Sequence, residues 1–281
     1  MKKNYSLALC LLLCLSLFIS CSDDDNNGSG NGKEKLLLSK VTEADGDFEM
    51  QYYYDDANRL IKMEEAESED GKKYTSTTIF EYDLKGNPIK MKESYSGDSD
   101  THLTTYTYKD DSIFVKEFRS NSETEISGID TLIINSNGSL KKIHSSYEYG
   151  INYANYTTNS AGQITQEDYY VKTIMHNVSE SHTVSTYTYD NKNGFFSQVN
   201  VKPWFFDYDL NSFSHFSNPT LIQSVTDYKN LETGGTTKDI GKTENVYTYN
   251  ENDYPETISV TEKYNEKTDT YFYKLEYIKA K

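Results

Sequence analysis

Residues 52–62, Tyr52-Tyr53-Tyr54-Asp55-Asp56-Ala57-Asn58-Arg59-Leu60-Ile61-Lys62, have the pattern of a β-hairpin. Because side chains alternate between the two faces of a strand, Tyr52 and Tyr54 share one face. The polar residues that follow predict a turn, in which Asn58 tolerates a left-handed backbone. Leu60 then begins a returning apolar strand. The stretch therefore predicts two antiparallel strands joined by a tight turn.

The same plan recurs down the chain. In the second copy Gly86 stands where Asn58 stands in the first, as a turn position with positive φ requires. Further copies contain Tyr106, Leu132, Tyr156, Tyr187 and Tyr247. We predict a single all-β domain over residues 36–281, an antiparallel β-hairpin meander of about sixteen strands curled into a barrel or half-barrel. A two-sheet β-sandwich is the alternative.

One hairpin breaks the spacing. The strand that ends at Tyr189 finds its returning strand only at residues 218–222, whose Asn-Pro start matches residues 87–88. Residues 191–217 are therefore predicted to be an insertion, and they contain the only tryptophan and half of the phenylalanines. A long loop inside a compact domain is usually functional, a lid or a cap.

Composition and charge limit the possible partners. Only 36% of the residues are hydrophobic, yet 14% are aromatic, with 26 tyrosines, and disordered chains lack aromatics. The formal net charge is −16, or −18 without Lys2 and Lys3 of the predicted signal. Nucleic-acid binding and adsorption on anionic membranes both depend on basic residues, so this charge argues against both partners.

The N-terminus predicts a cellular address. Residues 1–20 have a short basic start and an apolar run too short for a transmembrane helix, which indicates a secretory signal. Phe18-Ile19-Ser20-Cys21 resembles the bacterial lipobox, although Phe18 stands where leucine is usual; this implies lipidation of Cys21. A conventional signal with an incidental cysteine is the alternative.

Residues 21–35 are predicted to form a tether. The acidic run at 22–27 resembles the surface-export signal of Bacteroidetes lipoproteins, which implies the outer leaflet of the outer membrane. A solvated charge run in a linker is the alternative. The glycine-rich run at 28–32 indicates flexibility. The three cysteines all lie within residues 1–21, so the body has no disulfide and no cysteine-based metal site.

Tyr54-Asp55-x-x-Asn58-Arg59-Leu60 resembles the YD repeat, and the remaining copies keep the tyrosines and the turn but lose the arginine. With the lipobox and the acidic run, the chain resembles Bacteroides lipoproteins that carry a domain of unknown function with a porin-like β fold. The resemblance implies an all-β meander, anchored by lipid in the outer membrane and facing the cell exterior. It implies no established activity, so no catalytic residue is carried over.

The sequence offers little for catalysis. The five histidines have no metal-binding spacing, no cysteine in the body can act as a nucleophile, and no cofactor is expected. A glycan hydrolase needs only two carboxylates, and these are too abundant to locate a pair. The lysines at 62, 90, 116 and 141 are expected to alternate with Glu64, Glu93 and Glu117 on one outer face of the sheet as a solvated charge ladder.

The strongest functional candidate is the aromatic insertion. If Trp204, Phe206 and Tyr208 stay exposed, they are expected to bind a glycan or a protein, since exposed aromatic clusters often mark contact sites. Alternatively, the insertion folds over an open end of the sheet and buries its rings as a plug. The predicted function is a non-catalytic cell-surface lipoprotein that binds a ligand. A structural component without ligand and a glycan hydrolase are the alternatives.

Overall fold

The structure, a computed structural model, describes residues 33–69, 72–96, 100–147, 150–174, 178–210, 212 and 214–281. Cys21 and the predicted signal lie outside the described residues. Sixteen strands follow one another in chain order, each antiparallel to the next, and the last pairs with the first. The predicted all-β meander of about sixteen strands is confirmed, and it closes into a barrel rather than forming a half-barrel or a sandwich.

The strands are β1 (Leu36–Glu43), β2 (Phe48–Tyr54), β3 (Leu60–Glu69), β4 (Lys72–Tyr82), β5 (Pro88–Tyr95), β6 (Thr101–Lys109), β7 (Ser112–Phe118), β8 (Ile126–Ile134), β9 (Leu140–Tyr147), β10 (Gly150–Thr158), β11 (Ile164–Thr173), β12 (Ser179–Tyr189), β13 (Pro219–Asn230), β14 (Thr236–Tyr249), β15 (Pro255–Tyr264) and β16 (Lys267–Lys279). One short helix, α1 (Pro203–Asp209), lies between β12 and β13. Within the described part of the chain, no helix is long and apolar enough to cross a membrane.

The hairpin turns at one end of the barrel share a hydrogen-bond pattern. In the first, Asp55 Oδ1 accepts from the backbone N–H groups of Ala57 and Arg59, both at 2.9 Å. Asn58 has a φ of 59° and Gly86 a φ of 81°, as the sequence predicts for these turn positions. The same two-bond pattern recurs at Asp83, Asn159 and Asn250. In each of these four turns, the acid or amide that follows the strand therefore holds the turn.

The β12–β13 hairpin keeps this pattern across its long turn. Asp190 Oδ1 accepts from the N–H of Lys192 at 3.0 Å and from the N–H of Asn218 at 3.1 Å. Tyr189 pairs with Pro219, so the two strands form one hairpin whose turn carries residues 191–217. Asn218 thus takes the place that the fourth residue after the acid has in the other turns.

The tyrosines fill the inside of the barrel and hold neighbouring hairpins together. The Tyr54 hydroxyl donates to the carbonyl of Leu38, and the Tyr108 hydroxyl to that of Pro88, both at 2.6 Å. Equivalent bonds to the backbone come from Tyr82, Tyr189 and Tyr247. Each phenol ring therefore buries its apolar body while its hydroxyl keeps a partner, which a buried polar group requires.

The outer face of the barrel carries charged residues in pairs. Lys62 and Glu64 on β3 lie 2.7 Å apart, and Lys40 on β1 lies 2.9 Å from Glu49 on β2. Lys242 and Glu244 on β14 lie 2.8 Å apart. Such exposed pairs add little stability individually, but they place charged side chains on this face.

Two of the glutamates expected on the outer face lie inside instead. Glu93 stands opposite Thr78 on the face shared with buried Phe80, and Glu117 lies opposite Gly128. That part of the charge-ladder prediction is wrong. The reason is the two-residue period: Glu93 is three positions after Lys90 and Glu117 is one position after its lysine, so each faces the other way.

The two ends of the barrel differ. The even-numbered strands from β2 to β14 run toward the end that holds residues 191–217, which we call the plugged end. At the opposite end, residues 262–264 of β15 and 267–272 of β16 are exposed on both faces. The lumen there is reached by solvent, and we call this the open end.

Candidate functional site

The plug, defined as the described part of residues 191–217, is bonded to turns around the barrel rim. Its Asn193 N–H donates to the carbonyl of Asp253 at 3.1 Å. The N–H of Asn200 donates to the carbonyl of Asn58 at 2.9 Å, and the N–H of Trp204 donates to that of Gly138 at 3.0 Å. These bonds join the plug to the β14–β15, β2–β3 and β8–β9 turns, so it spans the end of the barrel.

The helix in the plug points its aromatic rings into the barrel. Pro203 begins α1, a position where its missing N–H costs nothing and its restricted φ suits a helix. The Phe205 ring then meets Phe80 of β4 edge to face, 5.2 Å between centroids, and Trp204 meets Tyr106 of β6 at 5.7 Å. Phe206 stacks on Phe196 at 4.8 Å. The rings of the plug are therefore part of the barrel core.

The three predicted ligand-binding residues lie together on α1, and the structure buries their rings. Trp204 is 2% exposed and Phe206 is 0% exposed, so neither offers a face to a ligand. Tyr208 is half-buried, and its hydroxyl donates to the carboxylate of Asp130 on β8. Of the two arrangements that the sequence allowed, the structure shows the insertion folded in as a plug.

A cavity of about 500 Å³ lies in the lumen beside the plug. Its wall comes from inward-facing residues of the barrel, among them Met63 of β3 and Val260 of β15. The plug supplies Phe196, Asp209 and Leu210. Further wall residues are Leu38, Val41, Met50, Tyr52, Thr243, Asn245, Tyr247, Ile258, Tyr273 and Leu275. The wall is thus mainly apolar and aromatic, with one carboxyl group at the plug.

A second cavity, about 150 Å³ in volume, adjoins the first. The two share Met63, Asp209 and Leu210, and the smaller one adds Glu65 and Glu93 from the wall. Every charged residue that lines either cavity is therefore acidic. The lumen combines an apolar wall with a cluster of carboxyl groups.

Burial changes the acidity of these groups. Burial raises the pKa of Asp209 to about 8, although the Tyr106 hydroxyl, which donates to Asp209 Oδ1 at 2.6 Å, opposes the rise. Burial, together with Glu67 and Glu93, raises the pKa of Glu65. Burial and nearby Asp130 raise the pKa of Glu117. The uncharged form of a carboxyl group is favoured where no counter-charge is close.

Sequence reasoning did not identify these lumen residues. Glu65 and Glu93 carry an available signal, because each shares the strand parity of an inward Met, Met63 and Met91. Asp209 has no comparable signal, since its position depends on the path of the plug. Over the described residues, no group of three or more His, Cys, Asp or Glu side chains is arranged to hold a metal ion.

Comparisons with known proteins give likenesses of low identity. No family model matches the sequence, and no curated protein does. Among solved structures, a porin-like protein from Bacteroides uniformis is 12% identical, with a TM-score of 0.41 over 86% of this chain and 98% of that one. A porin-like protein from Bacteroides vulgatus is 18% identical, with a TM-score of 0.40 over 87% and 99%.

A third likeness is to a chain of the TcdB2-TccC3-Cdc42 structure. It is 14% identical, with a TM-score of 0.36 over 78% of this chain and 10% of that chain. At these identities and TM-scores, none of the three likenesses assigns a function to this chain.

Proposed function

We propose that this protein is a non-catalytic surface lipoprotein that holds a small ligand inside its barrel. The lumen cavity supports this function best. Its volume of about 500 Å³ falls in the usual range for small-molecule sites, roughly 300–1,000 Å³, and such sites are mainly apolar with a few polar groups. This proposal places the ligand in the lumen, beside the plug, rather than on the rings of Trp204 and Phe206.

The distribution of polarity supports a barrel that stands in water. Barrels that cross a membrane have an apolar outer band, and a lysine or arginine facing lipid at the bilayer midplane costs roughly 2–4 kcal/mol. Here the outer face carries Lys62 beside Glu64 and Lys242 beside Glu244, while Leu60 and Phe80 are buried inside. The outer face therefore carries charged side chains, and the side chains that the barrel buries lie on the inner face.

The proposed anchor is a lipid on Cys21, in the outer leaflet of the outer membrane. Leu36, where β1 begins, lies at the plugged end, beside Tyr254, whose hydroxyl accepts from the Leu36 N–H at 3.3 Å. A tether of residues 21–35 then joins the barrel at its plugged end.

A labelling experiment tests the anchor. Cells that express the full chain are fed a radiolabelled fatty acid, and protease is then added to intact cells. We expect label on the wild-type protein, its loss in Cys21→Ser, and degradation by external protease. Label that persists in Cys21→Ser, or complete protection from protease in cells whose permeabilised controls are digested, would contradict the anchor or its placement respectively.

A pair of neighbouring substitutions tests the lumen site. Val260 lines the cavity, and Ser259, the preceding residue on β15, faces outward. The probe is N-phenyl-1-naphthylamine, a neutral apolar dye that brightens when it leaves water. We expect the wild type and Ser259→Arg to bind the dye and Val260→Arg to lose at least about tenfold in affinity, since 1.4 kcal/mol is tenfold in a binding constant.

Two further results complete this test. Circular dichroism and thermal melting of both variants show whether each is folded. Equal dye binding by folded Val260→Arg and Ser259→Arg, or no binding by the wild type, would overturn the lumen site and favour a structural component without ligand. Incubation of the protein with host and dietary glycans, followed by product analysis, tests the hydrolase alternative.

A further inference from the structure

We propose that the lumen site selects an organic cation, a ligand with an apolar body and an ammonium-type group that lies beside Asp209. The inference rests on the proposed function and names the chemical class of its ligand. It follows from the shape of the two lumen cavities, the partners of Asp209, and the absence of lysine and arginine among the described residues that line the two cavities.

The joined cavities separate apolar from acidic surface. The larger is lined by aliphatic and aromatic side chains, with Asp209 as its one charged residue. The smaller, beyond Met63 and Leu210, adds Glu65 and Glu93. Of the described residues that line either cavity, none is a lysine or an arginine. Where the two cavities meet, a ligand whose apolar body fills the larger one finds only carboxyl groups among the ionisable side chains of the lining.

Asp209 has one oxygen that the protein leaves without a partner. Its Oδ1 accepts from the Tyr106 hydroxyl at 2.6 Å. Its Oδ2 is buried and has no hydrogen-bond partner among the described residues. Buried polar atoms are almost always hydrogen-bonded, so an unsatisfied carboxylate oxygen at the junction of two cavities indicates a place for a donor. A protonated amine supplies both a donor and a compensating charge.

Carboxylates on the outer face have lysine partners, and those around Asp209 in the lumen have none among the described residues. Outside, Glu49, Glu64 and Glu244 each have a lysine within 3 Å. Inside, five carboxylates lie in the part of the lumen around Asp209, and no ion pair found among the described residues joins any of them to a lysine or arginine. These five are Glu65, Glu93, Glu117, Asp130 and Asp209.

Apart from His102, the titratable groups named around Asp209 are acids or phenols. Glu117 and Asp130 on the wall disfavour its charge, and Tyr106 hydrogen-bonds to it. The neighbouring phenols are Tyr82, Tyr108 and Tyr208, and the remaining lumen groups are Glu65, Glu67, Glu93 and His102, which lies opposite Glu93. His102 is the only base among these groups.

This arrangement makes cation binding depend on pH. Burial raises the pKa of Asp209 to about 8, so the carboxyl group holds its proton at neutral pH in the free protein. A cation that keeps its charge from pH 6 to 9 favours the carboxylate form of Asp209 and therefore displaces that proton. Affinity for such a cation is then expected to rise by up to tenfold for each pH unit between about 6 and 8, and to level off above. A neutral ligand shows no such dependence.

Three decyl compounds with different head groups test the inference. They are decylammonium, decyl maltoside and decyl sulfate, each kept below its micelle concentration and titrated into the folded protein by calorimetry at pH 6, 7, 8 and 9. We expect the cation to bind at least about tenfold more tightly than either other compound at pH 8, a difference of about 1.4 kcal/mol. Its affinity alone is expected to rise with pH.

Two variants, each lacking one carboxylate, supply the control. Asp209→Asn replaces the protonated group with a neutral one of the same shape, so the fold is expected to persist. Glu64→Gln removes an outward carboxylate one residue before Glu65. We expect Asp209→Asn to abolish both the preference for the cation and its pH dependence, and Glu64→Gln to leave both unchanged. This separates the lumen site from attraction by the net charge of the chain.

The outcomes distinguish the two proposals. Binding of the neutral dye and of all three decyl compounds with equal affinity would overturn the cation inference and leave the lumen site intact. A cation preference that survives in Asp209→Asn would also overturn it. Absence of dye binding by the wild-type protein, which overturns the lumen site of the proposed function, would overturn the cation inference with it.

Discussion

The two ends of this barrel belong to one sheet and differ in what fills them. At the plugged end, Phe205 and Phe206 are fully buried, and rim turns are bonded to the plug. Near the open end, Phe272 on the outer face is 55% exposed, and the last residues of β15 and the first residues of β16 meet solvent on both faces. The difference shows that one end of the lumen contributes the core, while the other leaves room for a ligand.

The largest expected effect is on stability, when one aromatic ring near each end of the barrel is removed. Phe205→Ala removes a fully buried ring that contacts Phe80, Trp204 and Phe206, so we expect a loss of about 3–5 kcal/mol in the free energy of unfolding. Phe272→Ala removes an exposed ring and is expected to change it by less than about 0.5 kcal/mol. Urea denaturation followed by circular dichroism measures both. Similar losses from the two variants would show that the ends contribute equally.

The second prediction concerns pH. Burial raises the pKa of Asp207 in the plug to about 7, although the Leu140 N–H opposes the rise. An acid whose pKa is raised on folding makes the fold more stable in acidic solution than at pH 7. This contribution is complete below the unfolded pKa, near 4, and it is lost as pH rises through the folded pKa. Between pH 4 and 7 the carboxyl group of Asp207 is therefore expected to cost the wild type up to about 1.4 kcal/mol of stability per pH unit. We expect Asp207→Asn to abolish this loss.

A carboxylate at the open end is the control for this prediction. Hydrogen bonds from Tyr264 and Asn265 lower the pKa of Asp239, so its stabilising contribution is present above its unfolded pKa and lost in more acidic solution. Asp239→Asn is therefore expected to leave the pH dependence between 5 and 7 unchanged. Denaturation curves at several pH values measure both variants and the wild type. A loss of stability between pH 4 and 7 that is as large in Asp207→Asn as in the wild type would contradict the burial of Asp207 as a neutral acid.

The smallest effect is expected from two turn glycines. Gly138 and Gly234 have φ of 85° and 75°, so alanine is strained at both and costs about 1 kcal/mol. At Gly138, at the plugged end, a Cβ would lie 3.2 Å from Pro203 Cδ, whereas nothing lies within 4 Å of one at Gly234. We expect Gly138→Ala to cost about 1 kcal/mol more than Gly234→Ala, since overpacking adds strain. Equal melting temperatures for the two variants would show that Pro203 of the plug does not crowd the turn at Gly138.

Local patterns predicted much of the barrel. The two-residue period placed Tyr52 and Tyr54 on the inner face, and the turn chemistry placed Asn58 at positive φ. The same period also places Glu93 on the inner face, because Glu93 is two positions after the inward Met91. These features depend on neighbours a few residues apart, so they can be predicted from short stretches.

The lumen site depends on contacts between distant residues. Tyr106 and Asp209, joined by a hydrogen bond, are 103 positions apart, and Tyr208 and Asp130 are 78 apart. No local pattern predicts that α1 turns its rings inward, because the path of a long loop is decided by the surfaces it meets. The exposure expected of a binding loop and the burial of a plug are equally consistent with the same aromatic residues.

The sequence by itself determined the repeating hairpin, the number of strands and the alternation of tyrosine with polar side chains, because each follows from strand geometry and turn chemistry. Only the tertiary structure decided that the sheet closes, that Trp204 and Phe206 are buried, and that Asp209 lies in a lumen shared with Glu65 and Glu93. Closure and burial depend on pairing between strands at opposite ends of the chain, and that pairing exists only once the whole barrel has formed.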